Sequence, residues 1–293
     1  MRRILAPPPR DQGAAVCLAG LRATPPHPTS VALDVQVRRG PTIGIRHLAL
    51  QMRLGVSRLF GAQAAGNFKV KYPTMVFRGS IIYCRTALEV ERASMELLDK
   101  IRSMKQNMNH VSLGFDIEWK PIFKRGHAQR KAAVMQICLD KATCYVMHII
   151  HSGIPPVLKS LLEDDISIKV GVCIAGDACK IIKDYNVSVE PLDDLSSLAN
   201  LKLGGAPKKW SLASLTEMIT CKQLAKPNRI RLGNWEADVL SKEQLQYAAT
   251  DAFVSWYLYE ALKGYPDAII ETKDMYKAEN VMNEHQKQTQ SLR

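Results

Sequence analysis

This sequence predicts an α/β fold in which a mixed β-sheet carries helices on both faces, and three observations lead there. Short β-rich runs come first, strands and helices then alternate, and helices dominate after residue 193. The run "SIKVGVCIAG" is almost continuously apolar, as in a strand covered on both sides. Two segments, 86–104 and 240–262, repeat apolar residues at helical spacing.

In order, "PTMVFRGSIIYC" (73–84) reads as a hairpin-like pair of short strands. "TALEVERASMELLDKIRSM" (86–104) reads as an amphipathic helix with Leu88, Ala93, Met95, Leu98 and Ile101 on its apolar stripe. A strand at 111–119 follows, then "AAVMQICLD" (132–140) and "TCYVMHII" (143–150), joined by a tight turn at "KA". "PPVLKSLLED" gives a short helix with proline at its start. "SIKVGVCIAG" runs into "DACKIIKDY", where Ala178, Ile181, Ile182 and Tyr185 share a helical face. Helices at about 193–201 and 211–221 precede a long one from about 242 to 263. Ser241 and Gln244 form a capping box at its start, and Leu245, Ala248, Ala249, Ala252 and Trp256 form its core stripe.

Composition divides the chain into an arginine- and proline-rich segment (1–68), a domain (69–267) and a polar tail (268–293). Residues 1–88 hold 11 Arg and 2 Lys against Asp11 and Asp34, whereas residues 89–293 hold 27 basic and 26 acidic side chains. The overall charge of +12 is therefore mainly N-terminal and says little about what the domain binds. Residues 1–68 suit either a disordered tail or an organelle transit peptide, with no secretory pattern. No apolar run approaches the ~20 residues of a membrane span, so a soluble protein without a membrane partner is expected. Seven cysteines without a C-x-x-C pair, several in apolar runs, point to a reduced intracellular chain.

Chemistry enters at "VSLGFDIEWKPIF" (111–123). Side chains of a strand alternate faces, so Leu113, Phe115, Ile117 and Trp119 share one side and Ser112, Gly114, Asp116 and Glu118 the other. Alone, this describes either an edge strand with a solvated face or a pair of metal-binding carboxylates. Asp177 follows Gly176 where a buried strand gives way to a helix; it suits a helix cap, and also a ligand site beyond the strand ends. Tyr247 and Asp251 lie four residues apart, hence on one helix face. His148 and His151 of "HIIH" have no accompanying ligand cluster and read as ordinary residues at a strand end. "CKQLAKPNRIRLGNW" (221–235) is the candidate substrate contact, with Lys226, Arg229 and Arg231 on phosphates and Trp235 packed beside them.

Taken together, Asp116, Glu118, Asp177, Tyr247 and Asp251 spell D-x-E, then D, then Y-x-x-x-D. This resembles the DEDD superfamily of 3′→5′ exonucleases in its tyrosine subclass. "GFDIEW", "VGVCIAGD", "DLSSLAN", "WSLASLTEM" and "RLGNW…LSKEQLQYAATDA" narrow the likeness to the Werner-syndrome-like exonucleases, especially the free-standing plant ones, over roughly residues 73–267. The resemblance implies a ribonuclease-H-like fold in which four carboxylates hold two Mg²⁺ or Mn²⁺ ions, as hard oxygen ligands favour. It implies that Asp116 bridges both ions, that Glu118 and Asp251 complete one, and that Asp177 supports the other. Ser112 and Gly114 would leave room for the ions. Tyr247 would position the attacking water, and nucleoside 5′-monophosphates would be released.

Cys179 departs from the pattern, because the helicase-linked relatives carry an aromatic residue there. No G-x-x-x-x-G-K-[ST] loop occurs, so ATP-driven unwinding is not expected, and the resemblance implies a separate helicase or DNA-repair protein as partner. Only 42 residues follow Asp251, which favours DNA over the RNA of ribonuclease-D-like relatives. A nuclear location goes with the DNA reading, and a chloroplast or mitochondrion is the alternative. The competing functions are a 3′→5′ exoribonuclease and a catalytically silent nucleic-acid-binding module on the same fold.

Overall fold

The computed structural model describes residues 72–268 except 107–109 and 125. The expectations for residues 1–68 and for the tail beyond 268 fall outside these described residues. A six-stranded sheet forms the centre, in the order β1-β4-β3-β2-β5-β6. Its strands are β1 (Ser80–Cys84), β2 (Val111–Glu118), β3 (Val134–Cys138), β4 (Thr143–Met147), β5 (Ser167–Gly171) and β6 (Leu192–Asp194). Strand β3 runs antiparallel to both neighbours, and the remaining pairs, β1 with β4, β2 with β5 and β5 with β6, are parallel.

Helices cover both faces, as the sequence predicts. The odd-numbered residues of β2, Leu113, Phe115 and Ile117, pack with α1 (Ala87–Lys105), α3 (Pro156–Glu163) and α4 (Ile174–Tyr185). A second core lies on the opposite face, formed with α5 (Leu195–Leu203), α6 (Leu212–Thr220) and α8 (Lys242–Lys263). Short helices α2 (Ile149–Ser152) and α7 (Asn228–Arg231) complete the set.

Local chemistry sets the boundaries. Thr86 and Glu89 close a capping box at the start of α1, and Ser241 and Gln244 do the same for α8. Pro156 opens α3. In the turn between β3 and β4, Asp140 Oδ1 accepts from the N–H groups of Ala142 and Thr143.

Four expectations need correction. Residues 73–84 form no hairpin: Thr74 makes an isolated bridge to Gln223, and β1 pairs in parallel with β4. The buried stripe of α1 is Val90, Ala93, Leu97, Leu98 and Ile101, whereas Leu88 and Met95 face solvent. Periodicity alone could not choose between these overlapping stripes; the geometry of packing on α3 does. "CIAG" belongs to α4 rather than to β5, and β5 contains a fully buried Lys169. The Lys169 ammonium donates to the carbonyls of Asp164, Ser167 and Glu190, which is how a charged group fits a covered strand. The three-residue strand β6 carries too little pattern to stand out in the sequence.

Candidate active site

Strand β2 is central, between β3 and β5, so the edge-strand reading of its polar face fails. That face meets α8. A Cβ on Gly114 would lie 2.6 Å from the backbone nitrogen of Trp256, and closer still to the carbonyl oxygen of Ala252. Ser112 Oγ donates to Glu260 on the same helix at 2.5 Å. The small residues of β2 therefore admit the helix backbone, not the ions for which the sequence reading reserved the space. Ala248, Ala249 and Ala252, all fully buried, let α8 lie this close to the sheet.

Close docking delivers Asp251 to Asp116 and Glu118. One carboxylate oxygen from each of the three lies within 4.8 Å of the others. Glu118 and Asp251 are buried and Asp116 is half-buried. Asp177 sits in the first turn of α4, half-buried, and its charge acts on Asp116 and Glu118. It is not the helix cap. Cys173 occupies that position in a left-handed conformation, and its N–H donates to Asp194.

Electrostatics show what the cluster lacks. Burial, then the charges of Asp251 and Asp177, push the Asp116 carboxyl well above the usual range. Burial and Asp116 do the same to Glu118. Burial raises Asp177 to about 7 and Asp251 to about 6. Lys226 Nζ, 3.9 Å from Asp251 Oδ2, is the cation that opposes the shifts of Asp116, Glu118 and Asp251, together with the Tyr247 phenol against Asp251. One lysine does not balance four carboxylates. Asp251 Oδ1 is buried without a hydrogen-bond partner. An acceptor oriented this way, in an all-oxygen donor set, fits a hard divalent cation.

Tyr247 is buried beside this cluster, as its four-residue spacing from Asp251 implies. Its phenol is pushed far above its ordinary value, by burial first and then by the charges of Asp251, Glu118 and Asp116. It keeps its proton at any physiological pH.

The 221–235 segment divides. Lys226 stands at the carboxylates, and Arg229 and Arg231 are exposed on α7. Trp235 is fully buried, so it makes no substrate contact. Its ring lies 6.2 Å from that of Tyr247, and its indole N–H donates to the Arg231 carbonyl. His148, also fully buried, donates from Nε2 to the Trp235 carbonyl and accepts at Nδ1 from the Tyr83 hydroxyl. Burial pushes this imidazole down to about 4, so it is neutral, and both ring nitrogens are used. The reading of His148 as structural agrees with this. Cys179 is exposed two residues beyond Asp177.

One residue escaped the sequence reading. Gln136 on β3 lies directly opposite Asp116, is fully buried, and neither amide atom has a hydrogen-bond partner. Its only signal in the sequence is a lone polar residue in the apolar run "VMQIC".

The 3′-5′ exonuclease family model matches residues 91–264. A 3′-5′ exonuclease of Arabidopsis thaliana is 52% identical over 198 residues, covering 68% of each chain. The mouse bifunctional 3′-5′ exonuclease/ATP-dependent helicase WRN is 37% identical over 75% of this chain, which spans 15% of that protein. A Drosophila erecta 3′-5′ exonuclease is 30% identical, and the match spans 60% of its length. Among solved structures, the Aedes aegypti Nibbler EXO domain aligns with a TM-score of 0.51 at 22% identity, covering 64% of this chain and 90% of that one. The catalytic core of RRP6 from Trypanosoma brucei aligns at 0.52 and 17% identity, covering 75% and 55%. At these identities the two structures speak for the ribonuclease-H-like fold alone. The family match and the plant relative go further: the chain is an enzyme of the 3′-5′ exonuclease family.

Proposed function

We propose that this protein shortens DNA from its 3′ end, releasing nucleoside 5′-monophosphates with the help of two divalent ions, Mg²⁺ or Mn²⁺. The observation that carries the reading is the convergence of Asp116, Glu118 and Asp251 within 4.8 Å, in a chain of the 3′-5′ exonuclease family. Asp116 would be shared between the ions, as the motif resemblance implies. Glu118 and Asp251 would complete one ion's ligands and Asp177 the other's. Such ions, when bound, supply activation of water and stabilisation of the departing 3′-oxygen.

The remaining work belongs to side chains. Tyr247 holds its proton and so orients the attacking water by a hydrogen bond; it is not a base. Lys226, 3.9 Å from Asp251 Oδ2, would hold a non-bridging oxygen of the phosphate. Arg229 and Arg231 extend that contact along the backbone. Water adds to phosphorus and gives up a proton to solvent, the bond to the 3′-oxygen breaks, and that oxygen takes up a proton. Trp235 supports Tyr247 from the core.

The choice of DNA rests on the motif resemblance to Werner-syndrome-like exonucleases. By analogy with the mouse WRN protein, which joins an exonuclease to a helicase in one chain, a separate helicase is the partner we propose here. The test is purified protein on matched 3′- and 5′-labelled DNA and RNA, with and without Mg²⁺. Mg²⁺-dependent loss of the 3′ label from DNA, faster than from RNA, is the expected result. Faster RNA shortening would overturn the substrate, and no shortening of either would overturn the activity.

A further inference from the structure

Between Glu118 and β3 the chain runs through "WKPIFKRGHAQRKAA" (119–133), which neither the carboxylate motifs nor the 221–235 segment uses. Residues 119–131 hold five lysines and arginines and no acid. Without them, the net charge of residues 89–293 would change from +1 to −4. The loop's five positive charges equal the whole net charge of residues 69–267, +5, and the loop starts at a site carboxylate.

That loop is built, not merely charged. Its base is fastened to α4, the helix of Asp177. Lys180 Nζ donates to the Arg130 carbonyl at 2.7 Å and stands 4.9 Å from the centre of the Trp119 ring. Asp184 accepts from Ala132 N–H at 2.7 Å, and the Tyr185 hydroxyl donates to the Ala132 carbonyl. Further out, the Gln129 amide closes the loop across its neck, accepting from Ile122 N–H and donating to Ile122 O. Beyond this staple, Phe123 is 81% exposed, the most exposed large apolar side chain among the described residues. Lys124 and His127 beside it, and Arg130 and Lys131 below, are also exposed.

An exposed ring among cations, on a loop held rigid at its base, matches how proteins hold single strands: bases stack on the ring while cations follow the phosphates. We propose that residues 119–124 and 126–131 form a platform for single-stranded nucleic acid. On it, a base on the 5′ side of the nucleotide being removed stacks on Phe123, while Lys124 and Lys131 hold neighbouring phosphates. This rests on the exonuclease reading of the adjoining site.

The test measures binding of a labelled single-stranded DNA dodecamer by fluorescence anisotropy, with EDTA present to prevent cleavage. Phe123→Ala should raise Kd roughly tenfold, the scale of one lost base–ring stack. Phe123→Trp should restore binding and Phe123→Leu should not. Lys124→Ala and Lys131→Ala should each reduce the slope of log Kd against log salt by about 0.7, as expected for one phosphate contact on a single strand. Lys159→Ala, on α3, serves as the control for charge alone. With Mg²⁺, the Phe123→Ala effect should fall on KM far more than on kcat, and melting should confirm an intact fold. Unchanged Kd and KM in the Phe123 and lysine variants, with cleavage intact, would overturn the platform and leave the exonuclease reading standing. Dodecamer binding that depends on Phe123, without any shortening of the strand, would overturn the exonuclease reading and keep the platform.

Discussion

Gly114→Ala adds one methyl group to a residue with no chemical role, and it should disable the enzyme. The added carbon would lie 2.6 Å from the Trp256 nitrogen and nearer still to the Ala252 carbonyl, both backbone atoms of α8. Ordinary carbon–oxygen contacts are about 3.3 Å or more, so relief needs roughly 1 Å of separation between β2 and the helix. Neither partner can absorb this by a side-chain rotation. The displaced helix carries Asp251 and Tyr247 away from Asp116 and Glu118, and a misplacement of that size costs on the order of 100-fold in rate. Overpacking should also cost about 1–3 kcal/mol of stability. The assay pairs thermal melting with Mg²⁺-dependent shortening of a 3′-labelled strand. A variant that melts and cuts like wild type would refute the claim that contact at Gly114 sets the position of the site.

Asp116→Asn should abolish cleavage while raising the melting temperature of the metal-free protein. Because burial and like charges raise the site carboxyls, the native state resists their ionisation, and apo stability falls as pH rises from the unfolded values near ~4 through about 7. The advantage of the variant over wild type should therefore grow across that window, and a pH-independent difference would contradict it. Tyr247→Phe should lower kcat with little change in KM and cost no more than about 1 kcal/mol of stability, a smaller kinetic loss than Asp251→Asn; an unchanged single-turnover rate would make Tyr247 a packing residue. Gln136→Leu removes two unsatisfied polar groups at nearly constant volume, so the metal-free protein should gain about 1 kcal/mol or more; a lower melting temperature would show that the amide is satisfied. Deleting residues 1–68 should leave catalysis on short strands intact, and folded but inactive protein in Mg²⁺ would move the proposed domain boundary.

Much of this was legible because the sequence signals were local. The α8 boundaries follow from Ser241, Gln244 and an alanine stripe, and Tyr247 and Asp251 share a face at any helical geometry. The alternation of β2 placed Asp116 and Glu118 on one side without reference to the rest of the chain. What stayed hidden depends on partners distant in sequence. Whether Gly114 makes room for ions or for a helix depends on α8, and whether Trp235 meets a base or the core depends on His148 and Tyr247. The buried stripe of α1 is chosen by α3, and Gln136 gains meaning only from the register that sets it opposite Asp116.

The contact between Gly114 and the Ala252–Trp256 turn also governs when this enzyme becomes dangerous. Strand β2 leaves the ribosome early with two of the carboxylates, but the third arrives only with α8, the last helix among the described residues. A nascent or prematurely terminated chain that stops short of residue 251 carries Asp116 and Glu118 yet cannot assemble the cluster, however well its sheet folds. On the proposed assignment of these carboxylates, competence to degrade nucleic acid is thereby tied to synthesis reaching Asp251 and to the docking of α8.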